Sequence, residues 1–299
     1  MLMFMNIKQQ SEIFMDRLAK RRKNPAKPST LNVYRSLLSN HILPTLGEMP
    51  VSKVENGVMR TLVERMVQAG LSPSTIAGVT NCVKEIVGSA IDANGNQLHP
   101  RTWNSDFIDS PPITGQKAPI ITQLEANRAI SATSGQYRAL FALLAGSGLR
   151  ISEALALKAG PNPQSSYFDR KRGVLVVSSQ LYNGQEITPK TSAGVREIDL
   201  SPELVVFLSR QFPESDKLMF PVSYDTVLRM AGTVGVPGLH SFRRFRKTHL
   251  EKNNVPEGLM RFWMGHADRD VADRYVKYGR EIESRKEWAQ KAGLGFELP

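Results

Sequence analysis

The 299-residue sequence predicts a mainly α protein of two domains, an amino-terminal helical bundle followed by a mixed α/β domain with a small antiparallel sheet. Three observations predict it. Apolar residues recur at helical spacing through most of residues 6–109. The stretch "DFIDSPPITGQKAPIIT" then breaks that period with three prolines and a glycine, the composition of a linker. Beyond it, short β-rich runs stand between helical segments. The expected boundaries are residues 1–109 for the helical domain, 110–120 for the linker and 121–299 for the second domain. A chain of this length supports two cores of ordinary size.

In order, an amphipathic helix is expected near Ile7–Lys23, and a second in "KPSTLNVYRSLLSNHILPTLG", with Ser29 or Thr30 as its N-cap. A third runs through "NGVMRTLVERMVQAG" to Gly70, and a fourth, started by Ser72 or Ser74, fills "LSPSTIAGVTNCVKEIVGSAIDANG". The second domain opens with a helical stretch from about Ile121 to Ala145. Its sheet is expected to use "GVLVVSS", "QEITPK" and "VREIDL", the first two joined through Tyr182-Asn183-Gly184 and the last two through Lys190–Gly194. From Ser201 the pattern is helical again, with Pro256 suited to the first turn of one helix.

Composition narrows the function classes. The apolar fraction of 41% and charged fraction of 22% are those of a folded soluble protein, and no apolar run approaches the roughly 18 residues of a membrane span. "MLMFM" stops at Asn6 without a small-residue cleavage site, so it does not read as a signal peptide. The single cysteine, Cys82, rules out an internal disulfide and a CxxC zinc site, which fits a reducing cytoplasm. A formal charge of +11 makes a polyanion the leading partner. Both domains are basic, with 13 Lys and Arg against 9 Asp and Glu in residues 1–110 and 26 against 19 in the remainder.

Three stretches carry candidate chemistry. In "LAGSGLRISEALAL", Arg150 follows a Gly-Ser-Gly break and precedes a new helix, an anion-binding position. Taken alone it reads first as a surface arginine with its stem on apolar neighbours, and Glu153 as a salt-bridge partner. "HSFRRFRKTHL" sets His240 and Arg243 three apart, able to face one point, with Arg244, Arg246 and Lys247 crowding the same turns as a phosphate-touching face. "MGHADRDVADRYVKYGR" adds His266, Tyr275 and Tyr278. Val271, Tyr275 and Tyr278 fall at i, i+4 and i+7, so helical spacing does not separate the two tyrosines and both also read as core residues. His240, His249 and His266 lack zinc-ligand spacing.

Taken in order, these motifs resemble the tyrosine recombinase (phage integrase) family over nearly the whole chain. "AGSGLRISEALAL" is similar to the family's first arginine box, "HSFRR" to its His-x-x-Arg box, and "MGHADRDVADRY" to its Gly-His box with a tyrosine nine residues after the histidine. "TPKTSAGVREIDL" is similar to the hairpin that bears the family's lysine, and "KPSTLNVYRSLLSNHILPTLGEMPVSKV" and "GLSPSTIAGVTNCVKEIV" look like its helical core-binding domain. Five motifs in the right order make the resemblance specific. Arg244 stands where the family often has a histidine.

The resemblance implies a SAM-like core-binding bundle and a catalytic domain of the DNA breaking-rejoining fold, together a C-shaped clamp on double-stranded DNA. It implies Tyr275 as the nucleophile, Arg150 and Arg243 as the clamp on the phosphate, Lys190 as the acid for the leaving 5′ oxygen, His240 as the general base and His266 as a phosphate hydrogen-bond donor. Glu153 orients Arg150, while Arg196, Arg244, Arg246 and Lys247 contact DNA. The product is strand exchange through a 3′-phosphotyrosyl intermediate and a Holliday junction, by four protomers, with neither metal nor other cofactor. The expected setting is the cytoplasm and nucleoid of a bacterial, archaeal or phage-infected cell. About 25 residues precede the core-binding motif, so no separate arm-binding domain is expected. The tail from Gly279, with Trp288 and Phe296, is expected either to dock on a neighbour or to pack on its own domain. A DNA-relaxing enzyme using the same chemistry, or an inactive DNA-binding regulator of the same fold, are the alternatives.

Overall fold

The computed structural model describes residues 5–115, 118–189, 192–266 and 278–299. Two compact units emerge, Met1–Gln116 and Lys117–Pro299.

In the first unit, α1 (Ile7–Lys20) starts at a capping box: Gln9 N–H donates to Asn6 Oδ1 (2.9 Å) and Asn6 N–H to Gln9 Oε1 (3.1 Å). Helix α2 (Pro28–Leu37) begins earlier than expected, with Lys27 at the N-cap and Pro28 at the first turn. Proline there loses no helical hydrogen bond and is pre-set in φ, so neither Ser29 nor Thr30 is needed as a cap. The chain then continues through a π-helical turn, Leu38–Ile42, into α3 (Leu43–Leu46). Pro44 explains the widened turn, since it has no N–H for the carbonyl four residues back and its ring crowds that oxygen. Helix α4 (Asn56–Gln68) buries Met59, Leu62, Val63 and Met66, one stripe at helical spacing. Helix α5 (Pro73–Gly88) is capped by Ser72, whose Oγ accepts from Thr75 N–H. Its buried face, including Ile76, Val79, Val83 and Ile86, completes one apolar core with α1 and α4. The short α6 (Ser105–Ile108) closes that core with Ile108.

The second unit is built on α8 (Gly135–Ser147), where every residue from Ala139 to Ser147 is buried. The expected single helix from Ile121 is divided: α7 (Gln123–Ser131) ends before Thr133, and Gly135 adopts φ +54°. After α8 come α9 (Ile151–Leu155), β1 (Tyr167–Asp169), β2 (Val174–Val177), β3 (Gln180–Tyr182), β4 (Gln185–Ile187) and β5 (Arg196–Asp199). Strands β1, β2 and β5 form one antiparallel sheet in that order, while β3 and β4 pair separately. This corrects the expected sheet, in which "QEITPK" was the middle partner. The reason lies at Ser166, whose Oγ accepts the N–H groups of Ser178 and Ser179, each at 2.9 Å. Those bonds replace the ladder and end β2. Asn183 and Gly184 both have positive φ, the type I′ geometry that closes the two-residue hairpin β3–β4.

Helices α10 (Pro202–Gln211), α11 (Tyr224–Thr233), α12 (His240–Lys252) and α13 (Glu257–Met264) follow, with Pro256 at the N-cap of α13 and not inside its first turn. The last helix, α14 (Ile282–Ala292), and the tail behind it pack on their own unit. Ala289, Ala292, Leu294 and Phe296 join its core. The end of α14 is held by α12: Arg246 Nη1 donates to Gly293 O (2.6 Å), and His249 Nε2 lies 2.7 Å from Ala292 O. No helix among the described residues is long and apolar enough to cross a membrane.

Candidate phosphate-binding site

The apolar run of α8 stops at Gly148, which takes the left-handed conformation (φ +71°) that caps a helix. Two residues on, Arg150 is the N-cap of α9. The Glu153 carboxylate reaches back to accept from Arg150 N–H (2.9 Å) and from Arg150 Nη1 (2.9 Å). Arg150 is thus tethered at its backbone and at one guanidinium nitrogen, while 39% of its side chain remains exposed. The sequence "GLRISE" therefore places one guanidinium at a helix start and supplies its own fastener three residues later.

Arg243 lies on the second turn of α12 and is 4% exposed. Its Nη1 donates to Gly148 O at 2.8 Å, and its Nη2 donates to Met264 O and lies 3.1 Å from His266 Nε2. Arg243 thereby joins the turn after α8 to the end of α13. His240, one turn earlier on α12, is exposed. Met264 is followed by Gly265 in the left-handed conformation, which turns the chain so that His266 faces Arg243.

Electrostatics set the protonation states. Burial and then the charges of Arg243 and Arg150 push the His266 pKa down to about 4. Although part of His240 stays exposed, partial burial of its ring, with the charges of Arg243, Arg244 and Arg150, also lowers its pKa. Both imidazoles are neutral at pH 7. A guanidinium only donates, so His266 Nε2 accepts from Arg243 and its Nδ1 carries the ring proton. Burial and Arg150 bring Arg243 down to about 9, still a cation at neutral pH. Burial alone would raise the Glu153 carboxyl, but Arg196 and then Arg150 hold it below the usual carboxylate range.

The structure thus brings together Arg150, Glu153, His240, Arg243 and His266. Lys190 and Tyr275 lie outside the described residues. Tyr278 rests against α13, where a Cβ on Gly258 would come within 2.7 Å of its ring, and it packs on the unit's core.

Two of the four expected DNA contacts are corrected. Arg196 is 5% exposed and is bound internally to Glu153, Gly194 O and Trp263 O. Arg246 is 2% exposed and is turned to Gly293 O. The basic cluster on α12 divides by helical geometry: positions 243, 246 and 250 face the core, whereas 240, 244, 247 and 251 form the outer stripe. On that stripe Arg244 is half-buried and donates to Pro119 O (3.0 Å), and Lys247 is exposed and pairs with Glu251 (3.0 Å). Sequence reasoning missed the carbonyls of Gly148 and Met264 as the seats of Arg243. Their signals were the adjacent glycines, because a left-handed turn aims its flanking carbonyls away from the helix ladder.

The family model described as phage integrase, N-terminal SAM-like domain, matches residues 14–67. Among solved structures, the chain is similar to the Tn1549 transposon integrase in complex with a circular intermediate DNA, with TM-score 0.67 and 21% identity over 94% of this chain and 99% of that one. It is also similar to a lambda integrase dimer bound to a COC' core site, with TM-score 0.62 and 17% identity over 92% and 97%. A lambda integrase tetramer bound to a Holliday junction matches at TM-score 0.58 and 14% identity over 92% and 78%. A comparison with curated protein sequences gave no match. The fold is therefore that of the two-domain tyrosine recombinases.

Proposed function

We propose that this chain, which has the tyrosine recombinase fold, is a site-specific DNA recombinase that cuts and rejoins duplex DNA through a 3′-phosphotyrosyl intermediate. The observation that carries the reading is the convergence of Arg150, Arg243 and His266 from three separate chain segments, with His240 one turn before Arg243 on α12. A pentacoordinate phosphorus spreads negative charge over its nonbridging oxygens, and fixed guanidiniums suit that charge. A neutral imidazole can take a proton, as a general base must.

In this reading Tyr275 Oη attacks the scissile phosphorus, its P–O bond forms, and the bond to the 5′ oxygen breaks. Lys190 gives its proton to that oxygen, and His240 takes the proton of the tyrosine. The His266 Nδ1–H group donates to a phosphate oxygen, and Glu153 orients Arg150. Reversal by a 5′ hydroxyl from a second duplex completes strand exchange without loss of phosphoester bonds. The partners are double-stranded recombination sites and further copies of the chain, four protomers on two duplexes, and the setting is the cytoplasm.

A duplex carrying a nick beside the cleavage position tests this, because the short leaving strand diffuses away and traps the covalent complex. Trapping is expected in the parent and in Tyr278→Phe, and its loss in Tyr275→Phe. Trapping that persists in Tyr275→Phe overturns the assignment of the nucleophile, and absence of trapping in every form overturns the enzyme. Junction formation between two sites separates a recombinase from an enzyme that relaxes a single duplex.

A further inference from the structure

Arg196 carries a buried guanidinium that donates four hydrogen bonds. Its Nη1 and Nη2 donate to Glu153 Oε1 (3.1 Å) and Oε2 (3.0 Å) in a fork, its Nε donates to Trp263 O (2.7 Å), and Nη1 also donates to Gly194 O (3.0 Å). Three separate segments end on this one side chain: the start of α9 with Arg150, the turn four residues after Lys190, and the end of α13 ahead of His266. The same side chain accounts for Gly265. A Cβ there would lie 2.9 Å from Arg196 Cζ and 3.0 Å from Ala193 O, in a backbone already at φ +61°.

The charges explain what such a residue does. Glu153 is 2% exposed and accepts four hydrogen bonds, two from Arg150 and two from Arg196. With Arg150 as its sole partner, the carboxylate would cancel the charge the site needs. With Arg196 opposite, the group of three carries one net positive charge, and that charge sits on the guanidinium that is partly exposed.

We propose that Arg196 is a positioning residue of this site: it neutralises Glu153, leaves the charge of Arg150 uncompensated for a phosphate, and registers the turn at Gly194 and the end of α13 against the same carboxylate. The inference rests on the recombinase reading for its phosphate, and one arm of its test does not. A lysine keeps the charge but not the fork, since its three donors share one nitrogen, so it leaves one Glu153 oxygen open to a second contact from Arg150.

The experiment compares Arg196→Lys, Arg150→Ala and the double variant in the full-length protein. With the nicked duplex, Arg150→Ala is expected to slow trapping by about 10²- to 10³-fold. Arg196→Lys is expected to slow it by about 10- to 100-fold, with affinity for the duplex and its salt dependence unchanged, and the double variant no slower than Arg150→Ala alone. Losses that multiply in the double variant, or a reduced salt slope with an unchanged rate, overturn the proposal, the latter marking a direct phosphate contact.

The second arm is the crystal structure of Arg196→Lys. Arg150 is expected to close over Glu153 with two guanidinium contacts, and retention of the single 2.9 Å contact overturns the proposal even if no form of the protein traps DNA. Should Arg196→Lys fail to fold, Gly265→Ala displaces Arg196 from the opposite side and is read in the same two ways.

Discussion

Asp199, at the end of β5, is 2% exposed and accepts from Trp263 Nε1 at 2.8 Å. It also faces Arg285 of α14, itself 1% exposed: Arg285 Nη2 donates to Asp199 Oδ1 at 3.3 Å, and Nε lies 2.9 Å from Oδ2 without hydrogen-bond alignment. The second contact is therefore Coulombic. Replacing Asp199 by Asn keeps an acceptor for the indole but removes the carboxylate charge from a buried guanidinium. Breaking a buried pair in this way costs about 3–5 kcal/mol. Arg285 keeps Glu197 Oε2 (2.8 Å) and Tyr278 O (3.1 Å), so the lower end, about 3 kcal/mol, applies. At about 2–4 °C per kcal/mol for a domain of 150–250 residues, Tm falls by about 6–12 °C. Calorimetry of the purified protein measures this, and hydrogen exchange should show α14 opening more readily. As a control, Glu283→Gln removes an exposed pair with Lys286 (3.6 Å) and should cost less than about 1 kcal/mol. If Asp199→Asn melts with the parent, to within the shift of that control, the network does not hold α14 to the sheet and the argument fails.

Two further outcomes follow from the site. Alanine at Gly148 must adopt φ +71° and would bring Cβ within 2.6 Å of Met264 Cε. The left-handed backbone costs about 1–2 kcal/mol and displacing a flexible methionine tip about 1 kcal/mol more. Thermal denaturation should therefore show a clear drop in Tm, and an unchanged value would mean that the turn seating Arg243 tolerates a side chain. The histidines make a pH prediction. His266 titrates near 4, below its ordinary 6.5, so the unfolded chain takes up a proton first as pH falls. Its stabilising contribution is complete above 6.5 and is lost as pH falls through about 4. An NMR titration of the imidazole measures the midpoint directly. A value at or above 6.5 would show that His266 does not accept from Arg243.

The helices and the order of the chemical residues were legible in the sequence because both depend on local rules. Apolar spacing marked the helices of the bundle, and the Gly-Ser-Gly break ahead of Arg150 marked the end of α8. Arg150, Arg243, His240 and His266 could be chosen from their motifs, and the structure brings them to one place. The sheet was less legible, because Ser166 ends β2 through side-chain bonds across thirteen residues of sequence, which no propensity records.

What the sequence by itself determined is the set of charged groups and the local turns that carry them: Arg150 with its fastener Glu153 three residues away, and His240 with Arg243 one helical turn away. What only the tertiary structure decided is which arginines face outward. Arg246 sits in the same basic run as Arg244 and Lys247, and Arg196 in a strand with Glu197 and Asp199, yet both arginines are buried and bound to groups 47 and 43 residues distant in the chain. The physical reason is that a guanidinium enters a core only where carboxylates and carbonyls from other segments already converge. That convergence exists only once the chain has folded.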